Sequence, residues 1–321
     1  MSAELRGKLD AEDAYAKEAK VQRCIDDDIR QVLWQHWGIE IQSFSPLFGG
    51  EASSIWKIDT QDQPLVVRIA PEHMCPSHLE YRLRVQAGVS TALDIVPMPC
   101  ETTSGSLVVL SGSNPISVQA VCSGRIREYL THENRIEAAR ALAVVHLALD
   151  SCEVPAVQLQ PHLESTHSNP CPDELRDDDL DAWIVSLPSS GWHRGLIHGD
   201  YYNRNVLWNE DRISGVIDWD ELTLDWREQE IAWSMWEFCQ IDDGTRLDVP
   251  SSCDFLDAYR SRNANIAPSL PSQAFRFIQR RLRTKCLNAL HDRAVGRPFD
   301  EEYFLSEVEA FGNIRGLVIS G

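Results

Sequence analysis

The sequence predicts an α+β protein of two lobes, a small strand-rich N-terminal lobe and a larger, mostly helical C-terminal lobe. Three observations carry this. At 321 residues the chain can bury two modest cores. Short apolar or alternating runs crowd its first third. Beyond Ser123-Gly124 the apolar spacing becomes helical.

The elements follow in order. Residues 10–37 read as a leading helix, with Val21, Ile25, Ile29, Leu33 and Trp37 four apart on one face and Gly38 as its stop. Ile39–Phe44, Ser54–Ile58 and Leu65–Ile69 read as strands, and residues 77–89 as a helix closed off by Pro97 and Pro99. Leu107–Leu110 and Ile116–Val121 are strands joined by the turn-rich Ser-Gly-Ser-Asn-Pro. A strong helix runs from Asn134 to Asp150 through Ala138, Leu142, Val145 and Leu149. Residues 151–180 are polar and proline-bearing, read as loop or short helices, with Asp177–Asp179 a solvated face. Leu196-Ile197, Val206–Trp208 and Val216-Ile217 are short apolar segments, and residues 228–239, 252–264 and 272–292 are helical. The boundaries this implies are an N-terminal lobe of 1–118, a connector of 119–124 and a C-terminal lobe of 125–321.

Composition narrows the function classes. The chain has 30 Lys and Arg against 49 Asp and Glu, a formal charge of −19. That balance disfavours nucleic acid or an anionic membrane as partner, since both need clustered positive charge. It suits a cationic small molecule, and equally serves solubility. The nine cysteines are scattered singly, without a C-x-x-C pair, which argues against a disulfide framework or a zinc site. The N-terminus is charged and lacks an apolar h-region, and no run reaches the roughly 18 apolar residues of a membrane span. A reduced cytoplasm is the expected setting.

The chemistry concentrates in two linked stretches, His198-Gly199-Asp200-Tyr201-Tyr202-Asn203-Arg204-Asn205 and Gly215-Val216-Ile217-Asp218-Trp219-Asp220-Glu221. A carboxylate at Asp200 can orient a substrate hydroxyl and accept its proton. Mg²⁺ prefers hard oxygen ligands and keeps some waters, so the amide oxygen of Asn205 and the carboxylate of Asp218 suffice beside nucleotide phosphates. The order and spacing match the catalytic-loop Asp, Asn and metal-holding Asp of protein kinases. Asp-x-x-x-x-Asn alone is weak, because such residues favour turns and caps anyway. His198 reads as a brace for the loop rather than a catalyst.

With both motifs in order, the sequence resembles the aminoglycoside phosphotransferase-like superfamily, which includes choline, homoserine and macrolide kinases. Leu142-Ala143-Val144-Val145-His146 resembles that family's helix ending in Leu-His, and Asp225-x-Arg227-x-x-Glu230-Ile231-Ala232 its acidic stretch entering the next helix. The resemblance spans about residues 45–240. It implies a protein-kinase-like two-lobed fold, ATP or GTP as co-substrate, Mg²⁺, and phosphoryl transfer to a small-molecule hydroxyl. It also implies that the first lobe binds the nucleotide. There Arg68, in Leu65-Val66-Val67-Arg68-Ile69, takes the place of the phosphate-holding lysine, with Glu80 as its helix partner. Gly49 and Gly50 would let backbone N–H groups approach the phosphates. Tyr202 stands where protein kinases usually carry a lysine, which favours a small-molecule acceptor.

Trp208, Trp219, Trp226, Trp233 and Trp236 read as core. The sharper reading makes Trp219 or Trp236, with Glu237, Asp242 and Asp243, a pocket for a cationic acceptor. Arg204 and Asp220 can touch substrate or merely brace their loops. The basic run from Arg276 to Lys285 reads as one side of a solvated helix. Two other readings stay open. One is a catalytically weak binding or regulatory protein of the same fold; the other is a metal-dependent hydrolase drawing on His193, His198, Asp200 and Asp218.

Overall fold

In the computed structural model, residues 24–47, 53–152, 171–187, 191–297, 299–315 and 317 are described. Their contacts fall into two units, one of the stretch up to Tyr81 with Pro99–Val121, the other of Arg82–Met98 with Cys122–Gly321. The protein is α+β, with a five-stranded antiparallel sheet in the first unit and mostly helix in the second.

The first unit opens with α1 (Asp27–Trp37), where the Asp26 carboxylate caps the Ile29 N–H. Gly38 ends the helix at φ 68°, a left-handed position that suits glycine, and its N–H reaches the Leu33 and Trp34 carbonyls. The Ile39 N–H also bonds Leu33 O, so the chain is still closing the helix there and the expected strand Ile39–Phe44 begins only at Ser43. Strands β1 (Ser43–Leu47), β2 (Ser54–Asp59), β3 (Leu65–Ile69), β4 (Val109–Ser111) and β5 (Asn114–Ala120) stand in the order β1-β2-β3-β5-β4. Trp56 and Ile58, then Leu65, Val67 and Ile69, then Ile116 and Val118, alternate onto one face and bury against Ile29 and Leu33 of α1. Arg68 falls between Val67 and Ile69 in this alternation, and so on the opposite side of its strand. The helix α2 (Pro76–Ala92) follows β3 in sequence.

In the second unit α3 (His132–Leu149) starts at a capping box between Thr131 and Asn134. Two short antiparallel pairs follow: β6 (Arg194–Ile197) with β9 (Thr223–Trp226), and the hairpin β7 (Val206–Asn209) with β8 (Arg212–Val216). Next comes α5 (Arg227–Cys239), which is buried on all sides except at half-buried Glu237. It packs against α3, α6 (Val249–Arg260) and α7 (Leu270–Ala294). The remaining helices, α4 (Asp178–Ser186) and α8 (Glu301–Ile314), were not expected, and both pack on α7.

Those two helices change the reading of the charges around them. Asp177 is the N-cap of α4 and its carboxylate also holds Arg315 at 2.8 Å. The basic run on α7 is not simply a solvated face, because Arg280, Arg283 and Lys285 turn to neighbouring elements. Arg283 meets Asp181 at 2.7 Å, Lys285 meets Glu307 of α8 at 2.7 Å, and Arg280 is buried over the Trp226 ring. All nine cysteines are free thiols; Cys239 on α5 and Cys286 on α7 are buried. Among the described residues no helix is long and apolar enough to cross a membrane.

Candidate active site

β6 runs antiparallel to β9 and delivers the chain into His198-Gly199-Asp200. Gly199 sits at φ 90°, and a Cβ there would lie 2.1 Å from the Glu221 carbonyl oxygen, so only glycine fits. His198 is wholly buried, edge-on to Trp219 with ring centroids 4.7 Å apart. Its Nδ1 accepts the Asp200 N–H at 3.3 Å, which leaves Nε2 to donate to Ile217 O at 3.1 Å. The histidine thus ties the Asp200 loop to the Asp218 turn, the bracing part expected of it.

Other side chains fix the same loop. Glu230 of α5 accepts the His198 N–H at 3.0 Å and the Gly199 N–H at 2.5 Å. Tyr201 is buried and its hydroxyl donates to Ala138 O at 2.9 Å, while Ser234 donates to Tyr201 O at 3.0 Å. Asn203 donates to Arg127 O at 2.5 Å. A single 3-10 turn, Asn203–Asn205, then brings Asn205 back onto Asp200. Asn205 Nδ2 donates to the Asp200 carboxylate at 2.8 Å and to its backbone carbonyl at 2.9 Å.

The β7–β8 hairpin returns the chain to this point. Ile217 N–H bonds the backbone carbonyl of Asn205 at 2.9 Å, and the next residue, Asp218, has φ 61° and ψ 70°. Left-handed backbone is uncommon outside glycine but tolerated by Asp. Asp200, Asn205 and Asp218, separated in sequence, therefore meet in one frame. Burial pushes the Asp200 carboxyl above its ordinary range; the nearby Asp218 and Glu221 charges add to this, and His198 and Arg281 oppose it. A raised pKa makes Asp200 a better proton acceptor.

Next to Asp200 stands a mixed-charge group from α5, α7 and α8. Burial and the charges of Glu307 and Asp200 push Glu237 up to about 7, against the opposing charges of Lys285 and Arg281. Lys285 lies over the Trp233 ring at 5.0 Å, and the Arg281 guanidinium over the same ring at 5.6 Å. The other members of the expected cationic pocket are elsewhere occupied. Trp219 and Trp236 are core, and Asp242 and Asp243 sit in the exposed turn between β10 (Gln240–Ile241) and β11 (Arg246–Leu247). There Asp242 meets Arg246 at 3.2 Å. His193 stands 3.6 Å from Asp150.

On the first unit, Arg68 is half-buried and its Nε donates to Ser53 Oγ at 3.0 Å. Glu80, on α2, accepts the Leu107 N–H at 2.8 Å and the Ser106 hydroxyl at 3.1 Å, tying down the turn before β4. Gly49 and Gly50 lie outside the described residues.

Sequence reasoning missed the part played by Glu230 and by Arg227. Arg227 is fully buried and grips Asp150 through two bonds, of 2.7 and 2.6 Å, tying the start of α5 to the end of α3. The available signal was a pair of ionisable residues inside a segment otherwise fit for a core helix, Arg227 and Glu230 beside Ile231-Ala232.

Comparison with known proteins shows the family. Residues 43–259 match the model of the phosphotransferase enzyme family, and the chain belongs to that family. A homoserine kinase of Rhizobium johnstonii (strain DSM 114642 / LMG 32736 / 3841) is 22% identical over 256 residues, covering 74% of this chain and 76% of the relative. Among solved structures, an amicoumacin kinase in complex with AMP-PNP and Ca2+ superposes with TM-score 0.73 at 12% identity, covering 96% of this chain and 98% of the other. A microcompartment-associated aminopropanol kinase gives TM-score 0.67 at 17% identity, covering 90% and 95%. The fold is thus kinase-like, and the chain is a phosphotransferase whose acceptor group is a hydroxyl.

Proposed function

We propose that this phosphotransferase moves the γ-phosphoryl group of ATP or GTP to the hydroxyl of a small acceptor that also carries an ammonium group. One observation carries the reading: Asn205 donates to the Asp200 carboxylate at 2.8 Å, in a loop bonded directly to the residue preceding Asp218. Asp200 orients the acceptor hydroxyl and takes its proton as the oxygen attacks phosphorus. Positioning and charge stabilisation supply most of the acceleration in such a transfer.

Asn205 and Asp218 are the residues that would hold Mg²⁺. Nδ2 of Asn205 is committed to Asp200, so its side-chain carbonyl oxygen is the atom left to a cation. With the Asp218 carboxylate this makes a hard-oxygen pair, which suits an ion that draws its remaining ligands from phosphates and water. Bound there, the ion would neutralise charge on the nucleotide's phosphates. Arg68 is assigned to the same phosphates, Glu80 to bracing Arg68, and Gly49 and Gly50 to backbone contacts with the phosphate oxygens.

The acceptor class rests on two supports. The relatives are a homoserine kinase and an aminopropanol kinase, both named for amino-alcohols. Beside Asp200, Glu237 offers a carboxylate that can pair with an ammonium. No nucleic-acid or membrane partner is proposed, and the nine free thiols suit a cytoplasmic setting.

The test is nucleotide consumption by purified protein against homoserine, aminopropanol, choline, aminoglycosides, macrolides and neutral sugars, with and without Mg²⁺. Mg²⁺-dependent turnover with at least one amino-alcohol is expected. Asp200→Asn should lower kcat by about 10²–10⁴ while nucleotide affinity stays near wild type. Full turnover in that variant sinks the mechanism. Nucleotide binding without turnover on any acceptor favours a binding or regulatory protein instead.

A further inference from the structure

Behind the catalytic loop lies a buried polar chain to which phosphoryl transfer assigns no part. His146 on α3 places Nε2 2.7 Å from Glu230 Oε2 and Nδ1 2.7 Å from the Tyr259 hydroxyl. Asn263 Nδ2 approaches that hydroxyl at 3.4 Å. His146, Tyr259, Glu230 and Asn263 are all buried, none more than 3% exposed.

The hydrogen positions in this chain follow from valence. Glu230 already accepts the His198 and Gly199 N–H groups, so it faces them as a carboxylate. His146 Nε2 must then carry the hydrogen it presents to Glu230. A neutral ring leaves Nδ1 as acceptor, so Tyr259 O–H donates to it and Asn263 donates to the Tyr259 oxygen. Every donor points the same way, from Asn263 to the loop's carboxylate. The titration tendencies agree. Burial holds His146 below its ordinary range; burial alone would raise Glu230, but the hydrogen bonds it accepts, that of His146 foremost, hold it below.

We propose that His146 and Tyr259 are positioning residues that, with Asn263, set the orientation of Glu230 and thereby the backbone of His198 and Gly199 that presents Asp200. The Gly199 N–H is one residue from Asp200, so a tilt of the Glu230 carboxylate is passed straight to the reacting group. A buried polar chain of this kind adds little net stability over an apolar replacement. What it adds here is a fixed direction for two backbone N–H groups. The inference rests on Asp200 being the reacting carboxylate.

Replacing His146 separates direction from bulk. Gln places its amide nitrogen near the site of Nε2 and keeps the donor to Glu230; Asn reaches only toward Nδ1, and Leu fills space alone. His146→Gln should stay within about threefold of wild-type kcat, while His146→Asn and His146→Leu should lose about 100-fold, with nucleotide KM changed less than about twofold. Amide hydrogen exchange across residues 196–201 should speed up strongly in the Asn and Leu variants and only slightly in the Gln variant. Exchange is read without turnover, so it tests the relay even if the acceptor is never found. Equal kcat and equal exchange in Gln and Leu variants would overturn the proposal, as would losses that merely track Tm. Should the His146 variants not fold, Tyr259→Phe removes a single oxygen. A several-fold lower kcat with faster exchange at the same segment supports the relay, and no change in either refutes it.

Discussion

Asp200 and Asp218 belong to one site but are held by unlike means. The Asp200 loop is gripped by side chains, Glu230 and Ser234 on α5 from outside it and Asn205 from its own far end. Asp218 stands on a turn gripped at its backbone groups, with Ile217 N–H on Asn205 O, His198 Nε2–H on Ile217 O and Trp219 Nε1–H on Val216 O, at a left-handed φ of 61°. The contrast suits the proposed roles. A group that receives a proton in flight must be placed to a fraction of an ångström. A ligand to a hard cation shares its task with phosphates and water and tolerates more movement.

The largest expected effect attacks the crossing of the two segments. Gly199→Ala forces a Cβ to within 2.1 Å of the Glu221 carbonyl, and activity should fall by at least about 10³ through misplacement of Asp200. Steady-state turnover and thermal melting together check it; near-wild-type kcat would mean that the loop can be moved freely.

The second effect sets the two carboxylates apart directly. Asp218→Asn keeps a residue that tolerates the left-handed turn, and should raise the Mg²⁺ concentration for half-maximal activity about tenfold or more, recoverable with excess metal. Asp200→Asn should show no such recovery. Identical metal titrations for both variants would erase the distinction.

A third, smaller effect is a pH dependence. Glu237 has a folded pKa raised to about 7, so unlike a paired carboxylate its ionisation costs stability. The protein is favoured below the unfolded carboxyl range, and that contribution is lost as pH rises toward 7. Binding of a cationic acceptor runs the other way: its KM should fall as pH rises through about 7. Lys285, Glu307, Asp200 and Arg281 are the charged groups around it. Glu237→Gln should flatten both the KM profile and the stability slope, and a profile unchanged in that variant would remove Glu237 from acceptor binding.

The smallest is Ser234→Ala, which deletes the bond to Tyr201 O at 3.0 Å. A loss of about 1 kcal/mol in unfolding free energy is expected, with kcat reduced only a few-fold, measured by denaturant melts and turnover.

Much of this could be read from the residues alone. The sheet strands of the first unit, the helix stop at Gly38 and the helices α3, α5, α6 and α7 all carry local signals that their packing does not contradict. The meeting of Asp200, Asn205 and Asp218 was legible because each sits at a fixed offset on a short loop or hairpin. Helix α8 was not, since Glu301–Ile314 opens with charged residues and has few buried positions, Ala310, Phe311 and Ile314. Missing it left Lys285 looking solvated, as missing α4 did for Arg283. Helix α4 was hidden the same way, its Asp-rich first turn reading as a charge cluster rather than a capped N-terminus. The grip of Glu230 on two backbone N–H groups was also unreadable, because a backbone partner leaves no mark in sequence.

The buried thiols give the molecule a built-in clock. Burial pushes Cys239 and Cys286 up to about 12, so their thiolate fractions at neutral pH are minute, and both sulfurs are walled off. Cys24 and Cys75 face solvent. A pulse of alkylating reagent should therefore label the exposed pair at once and the buried pair only when α5 or α7 opens. Peptide mass at Cys239 and Cys286 read against pulse length then times the opening of α5, which carries Glu237, and of α7 packed on it, with or without nucleotide, and without a mutation or a dye.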